Sequence, residues 1–174
     1  MEQLRYPNGR FQFEGMTAVQ MEKWIGEVEK VPAELRAAVE GLSDEQLDTP
    51  YRTGGWTVRQ VVHHIADASM NMFSRFKLAL TEPNPTIKPF NEDRWVATAD
   101  SESAAPGLSL VIIDGLHARA ALLLRSMERA DFEKEFYHPE KGSQMKLSLL
   151  LAYMAWHGRH HIAHIISLRE RMEW

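Results

Sequence analysis

The feature that most constrains this chain is periodicity: apolar residues recur every third or fourth position through four long segments, and no segment alternates apolar with polar as a strand would. In the second of these segments the stripe runs Val61, Ile65, Ala68, Met72, Phe76 and Leu80; in the third it runs Leu110, Ile113, His117, Ala121 and Leu124. A helix striped in this way must bury its apolar face against another element. With only helices on offer, the expected solution is an all-α four-helix bundle formed as one domain over residues 1–174.

Local signals set the boundaries. Thr17/Gln20, Ser43/Gln46 and Thr57/Gln60 each pair a hydroxyl cap with a Gln three residues on, flanked by apolar residues that can staple the turn. The first opens a helix of roughly Ala18 to Gly41, which Pro32 should kink or split because it lacks a backbone donor. The second opens a single turn, and the third a long helix from about Val58 to Leu80. The prolines after Glu82 end that helix, and the stretch to Gly107 is rich in Pro, Asn, Ser and Ala, with one turn expected around Glu92 to Thr98. A connection this long between the second and third long helices suggests a lid over residues 82–107. The last two helices are expected from Leu108 to Arg129 and from Leu147 to Arg171, with an irregular excursion or small hairpin over Asp131 to Lys146.

Composition removes several classes of function. A net charge of −4 with scattered Lys and Arg gives no basic stripe for nucleic acid. The first fifteen residues lack the apolar core of a signal peptide, and the near-apolar run Leu147 to Trp156 is about half the ~20 residues of a membrane span, so a cytoplasmic chain is expected. The absence of cysteine excludes disulfides, thiolate nucleophiles and Cys-type zinc sites, so any metal must be held by His, Asp or Glu.

Six of the eight histidines fall in two clusters: His63 and His64, then His157, His160, His161 and His164. Residues four apart share a helix face, so the last helix offers two chelating pairs, His157/His161 and His160/His164. Helix phase separates them. With His157 set at 0°, the apolar residues Leu147, Leu150, Met154, Ile165, Leu168 and Met172 fall at about 20 to 80° and His161 at about 40°. His160 and His164 fall on the flank, at about 300° and 340°. The same reasoning puts His64 beside its helix's apolar stripe and His63 toward solvent. His64, His157 and His161 are therefore the candidate ligands of one divalent ion. Three imidazoles buried together would each need a partner, and one ion satisfies all three.

Asp67, one turn after His64, is a candidate to orient that ligand, and Asp67 and His160 are candidates to handle protons. His117, alone on an apolar face, is expected to be a satisfied core residue. Three protein ligands leave coordination positions open, as in catalytic rather than structural zinc sites. With no nucleophile elbow, phosphate loop or dinucleotide fingerprint, the metal is the expected centre of chemistry.

The strings Gln46-Leu-Asp-Thr-Pro-Tyr-Arg, Gly54-Gly-Trp-Thr-Val-Arg-Gln-Val-Val-His-His-Ile-Ala-Asp, Arg75-Phe-Lys-Leu, Phe136-Tyr-His-Pro and Trp156-His-Gly-Arg-His-His-Ile-Ala-His resemble the YfiT-like branch of the DinB superfamily. Together with Tyr6-Pro and Trp95 the similarity spans nearly the whole chain. The resemblance implies a four-helix bundle, frequently a homodimer, with a zinc or nickel site whose ligands match His64, His157 and His161. It implies a metal-dependent hydrolase acting on a small molecule. A rival implication is an S-transferase that binds bacillithiol or another low-molecular-weight thiol at the metal. A metal-binding stress-response module without catalysis is the third alternative.

Overall fold

The computed structural model describes residues 2–174 and shows which helix faces meet. In chain order the elements are α1 (Glu2–Arg5), α2 (Ala18–Val39), α3 (Asp44–Leu47), α4 (Val58–Thr81), α5 (Glu92–Trp95), α6 (Ala99–Ser103) and α7 (Pro106–Ser126). A 3-10 turn (Asp131–Glu133), strands β1 (Glu135–His138) and β2 (Ser143–Lys146), and α8 (Leu147–Met172) complete them. All three capping boxes form, with Thr17, Ser43 and Thr57 each accepting from the backbone N–H of its paired Gln while that Gln side chain accepts from the cap. The long connection forms two short helices rather than the one expected turn, and α1 has no counterpart in the sequence reading.

α2, α4, α7 and α8 make the four-helix bundle. α2 packs on α7 and α8, and α4 packs on the same two, so the consecutive long helices α2 and α4 face each other across the bundle diagonal. The core divides into two apolar groups. One is built around Met72, Phe76, Phe132, Phe136, Leu150 and Met154, the other around Val31, Leu35, Val61, Ile65, Ile113 and Ile165. His157 and His161 on α8 sit in sequence between the two groups, and His64 on α4 sits among Val61, Val62 and Ile65 of the second group, just before Ala68 of the first.

Pro32 neither splits α2 nor ends it. Its missing N–H deprives the Val28 carbonyl, four residues earlier, of its helical donor. That carbonyl accepts instead from Nδ1–H of His117 on α7, at 2.8 Å. Nδ1 must carry the proton there, so Nε2 accepts from the Ser69 hydroxyl at 3.0 Å. His117 is thus the satisfied core histidine that its isolation suggested.

The excursion before α8 is an antiparallel hairpin pairing Glu135 with Lys146 and His138 with Ser143. Strand period two sends Phe136 and His138 inward together. The hairpin is pinned to the end of the α4–α5 connection, where Tyr137 donates to the Pro85 carbonyl and Ile87 donates to the Tyr137 carbonyl.

α7 behaves differently from the other long helices. It buries Leu110, Ile113, His117, Ala121 and Leu124 yet leaves Leu108, Val111 and Leu122 largely exposed. By length and composition it could cross a membrane, which the short apolar run of α8 had not suggested.

Candidate metal centre

The phase argument is realised in space. One ring nitrogen from each of His64, His157 and His161 lies within 4.8 Å of the other two, and all three residues are buried. Nε2 of His64 and Nε2 of His157 face each other at 3.0 Å. Two nitrogens bonded to one zinc at ~2.0–2.1 Å and set at a tetrahedral angle stand about 3.3 Å apart, so the observed spacing fits a shared ion. Without an ion the contact needs one of the two to donate, and Nδ1 of His64 and Nδ1 of His161 are in any case buried without a partner. An ion shared by the facing Nε2 atoms of His64 and His157 would end the need for one ring to donate to the other, although Nδ1 of His64 would still lack an acceptor.

The electrostatics point the same way. Burial, reinforced by His160, pushes His64 down to about 3. Burial and neighbouring imidazoles hold His157 and His161 well below the ordinary histidine range. All three are therefore neutral at pH 7, the form that ligates metal. Trp56 closes one side, its ring 4.6 Å from that of His64 and stacked at 6.0 Å on that of His161, with its Nε1–H on Asp93.

The remaining candidates are placed elsewhere. Asp67 is half-buried, and its carboxylate makes no hydrogen bond to any histidine among the described residues. Burial and then the Asp100 carboxylate push that carboxyl up to about 6. His160 is stacked on Trp156 at 4.4 Å and donates from Nδ1 to the Asn8 side chain at 3.2 Å. It is held as part of the wall and makes no hydrogen bond within the triad. His63, expected toward solvent, is buried instead: Nε2–H donates to the Ala104 carbonyl and Nδ1 accepts from Ser109. The reason is the connection after Glu82, which folds over that face of α4.

A second cover was not foreseen. The N-terminal segment crosses α8, where the Gly9 carbonyl accepts from Trp156, Asn8 accepts from His160 and the Arg5 carbonyl accepts from His164. This segment, and not only residues 82–107, shields the histidine flank. His164 is also stacked on Tyr51 at 4.0 Å, and with His160 and His161 it forms a second close trio of imidazoles. Each of its outer two members spends one ring nitrogen on the hydrogen bonds just described, and Nδ1 of His164 is buried without a partner.

From the triad a cavity of about 200 Å³ opens past His157 and is lined by Tyr153, Arg75, His138, Phe90 and Met72. Burial pushes the Tyr153 phenol up to about 12, so it keeps its proton. Sequence reasoning gave Arg75 and Tyr153 no role, although a signal existed. Arg75 is eleven residues after His64, about 20° from it in helix phase, and Tyr153 is four before His157. His138 could be placed only once the hairpin was known.

A helical bundle with three convergent, buried, neutral imidazoles defines a class of protein able to hold one divalent metal ion. The chain belongs to the DinB superfamily, whose description matches residues 27–165. It is 54% identical, over the full length of both chains, to a Bacillus mycoides protein named "putative metal-dependent hydrolase", and 53% identical to a Bacillus cereus protein of the same designation. Its structure is similar to that of YfiT from Bacillus subtilis, with a TM-score of 0.96, 48% identity and 99% of each chain covered. That protein is described as "a probable metal-dependent hydrolase with an unusual four-helix bundle topology".

Proposed function

We propose that this chain is a metal-dependent hydrolase of a small molecule, in which His64, His157 and His161 hold one divalent ion, zinc first and nickel second. The observation that carries this reading is the convergence of three buried imidazoles, one of which, His157, lines a cavity of about 200 Å³. When bound, the ion supplies Lewis acidity: it lowers the pKa of a coordinated water or thiol and polarises a substrate carbonyl. The chain's own groups position and exclude. Trp56 and the N-terminal segment keep bulk water from the rings, and the Tyr153 phenol offers a donor in the cavity.

A second reading, transfer of a low-molecular-weight thiol such as bacillithiol, is favoured by one observation. Neither the Asp67 carboxylate nor the His160 ring makes a hydrogen bond to the triad among the described residues, and attack by a metal-bound thiolate would call on a base less than attack by water. Zinc- and nickel-loaded protein should be assayed on ester and amide panels, and on conjugation of bacillithiol to an electrophilic dye. His64→Ala should lose metal and lower turnover by about tenfold or more. Turnover of every substrate equal to that of His64→Ala would refute both readings. We further propose a cytoplasmic homodimer without nucleic-acid or membrane partners; the exposed apolar row Leu108, Val111 and Leu122 on α7 supports self-association.

A further inference from the structure

Arg75 stands on α4, on the face that carries His64, and lines the cavity that reaches His157. Its Nε is buried without a hydrogen-bond partner, and its guanidinium forms no ion pair among the described residues. An arginine can only donate, so this is a charged donor with no acceptor, in a position where most buried groups of its kind are paired. His138, which lines the same cavity, repeats the pattern. It comes from β1, is 6% exposed, and its Nδ1 is buried and unpartnered. Lys141, from the turn that follows β1, lines the same cavity.

Two carboxylates are present as well. Glu92 and Glu140 line the cavity, yet neither forms an ion pair with Arg75 or Lys141 within the 4.0 Å that defines one. The rest of the wall is apolar, with Phe11, Met72, Phe90 and Leu150. Counting the Tyr153 phenol, four groups able to donate thus line the cavity, two with buried nitrogens that no other described residue satisfies, beside an apolar surface that reaches His157.

We propose that this cavity reads an anionic group: Arg75, assisted by His138 and Lys141, binds a carboxylate of a small, partly apolar molecule whose other end lies toward His64, His157 and His161. This rests on the reading of the triad as the reactive centre, and it names the substrate class for that centre as carboxylate-bearing. A guanidinium matches a carboxylate through parallel charge-assisted hydrogen bonds, and the apolar wall takes the carbon chain. The cavity is smaller than the roughly 300–1,000 Å³ of typical drug-sized sites, which limits the ligand to a compact one.

The test compares hexanoate with hexanamide, which share shape and differ in charge, by calorimetric titration of the full-length zinc-loaded protein. The expected preference for hexanoate is about tenfold or more. The same titration on His64→Ala separates the cavity from the metal, because hexanoate could ligate zinc directly. His64→Ala should keep the preference, whereas Arg75→Met should reduce it to less than about twofold while hexanamide binds as before. Lys141→Gln, an exposed position where misfolding is no concern, should show a partial loss. A preference that survives in Arg75→Met, or that vanishes in His64→Ala, would overturn the proposal, as would equal binding of both probes to wild type. Failure of the triad reading is read separately, as zinc stoichiometry by elemental analysis that is the same in wild type and His64→Ala.

Discussion

Gly158 lies on α8 directly after His157, where α8 crosses α2. A methyl group added at Gly158 would meet Val31 Cγ2 at 2.6 Å, with Cγ1 at 3.4 Å. Carbon atoms pack best at about 3.5–4.0 Å, so one of the two helices or the Val31 side chain must give by about 1 Å. Val31 cannot turn away cheaply: it is β-branched, in a helix, fully buried and followed by Pro32. Two effects of opposite sign therefore compete in Gly158→Ala. Replacing a mid-helix glycine by alanine stabilises by about 1 kcal/mol. Overpacking costs about 1–3 kcal/mol, and the 2.6 Å contact puts this site toward the upper end. The expected net effect is a loss of about 1–2 kcal/mol. Val31→Ala alone should cost about 2 kcal/mol through the cavity it leaves. Together the two should cost less than their sum by about 2 kcal/mol, because the new methyl enters the space the valine vacated. Urea denaturation followed by circular dichroism, in zinc-saturated and chelated protein, measures each term. Because α8 carries two of the three candidate ligands, Gly158→Ala should also weaken zinc binding, and the double variant should recover it. If Gly158→Ala raises the midpoint by the propensity gain alone, or the two penalties simply add, the close helix contact is not what requires glycine.

In metal-free protein, His64, His157, His160, His161 and His164 all have folded-state pKa values below the unfolded value, through burial first. The stability they contribute is present above about pH 6.5 and is lost as pH falls below it, at about 1 kcal/mol for each imidazole between pH 6.5 and 5.5, or about 5 kcal/mol for the five. Urea melts of chelated protein across that interval test the slope; a flat profile would contradict the buried neutral cluster. His117→Leu should cost about 2–4 kcal/mol by stranding the Val28 carbonyl and the Ser69 hydroxyl. In a Pro32→Ala background that penalty should fall by about 1 kcal/mol, since residue 32 then offers its own N–H to Val28, and an unchanged penalty would remove proline as the cause. Light scattering should give wild type a mass twice the 20.0 kDa of one chain, and Leu122→Glu should return it to one; a monomeric wild type would count against self-association through α7.

Much of the candidate site was legible because helix phase is a local property. Thr17, Ser43 and Thr57 fix where three helices start, and the period of 3.6 then settles that His64, His157 and His161 point inward without any knowledge of neighbours. Asp67 shows where such reasoning stops. Its spacing from His64 suited an orienting role, but a carboxylate's direction depends on its rotamer and on what packs beside it, and here that neighbour is Asp100.

The sequence by itself thus determined the four long helices, the inward face of each and the three rings that share it. The tertiary structure alone decided what covers the flanks. His63, His160 and His164 are buried because the Glu82–Gly107 connection and the N-terminal segment return across the bundle, and Arg75 acquires His138, 63 residues later, as a neighbour because a hairpin folds back beside α4. Periodicity reports contacts within one helix turn of a residue. Loop closure brings together groups far apart in the chain, and no spacing rule along the chain encodes where such a return ends.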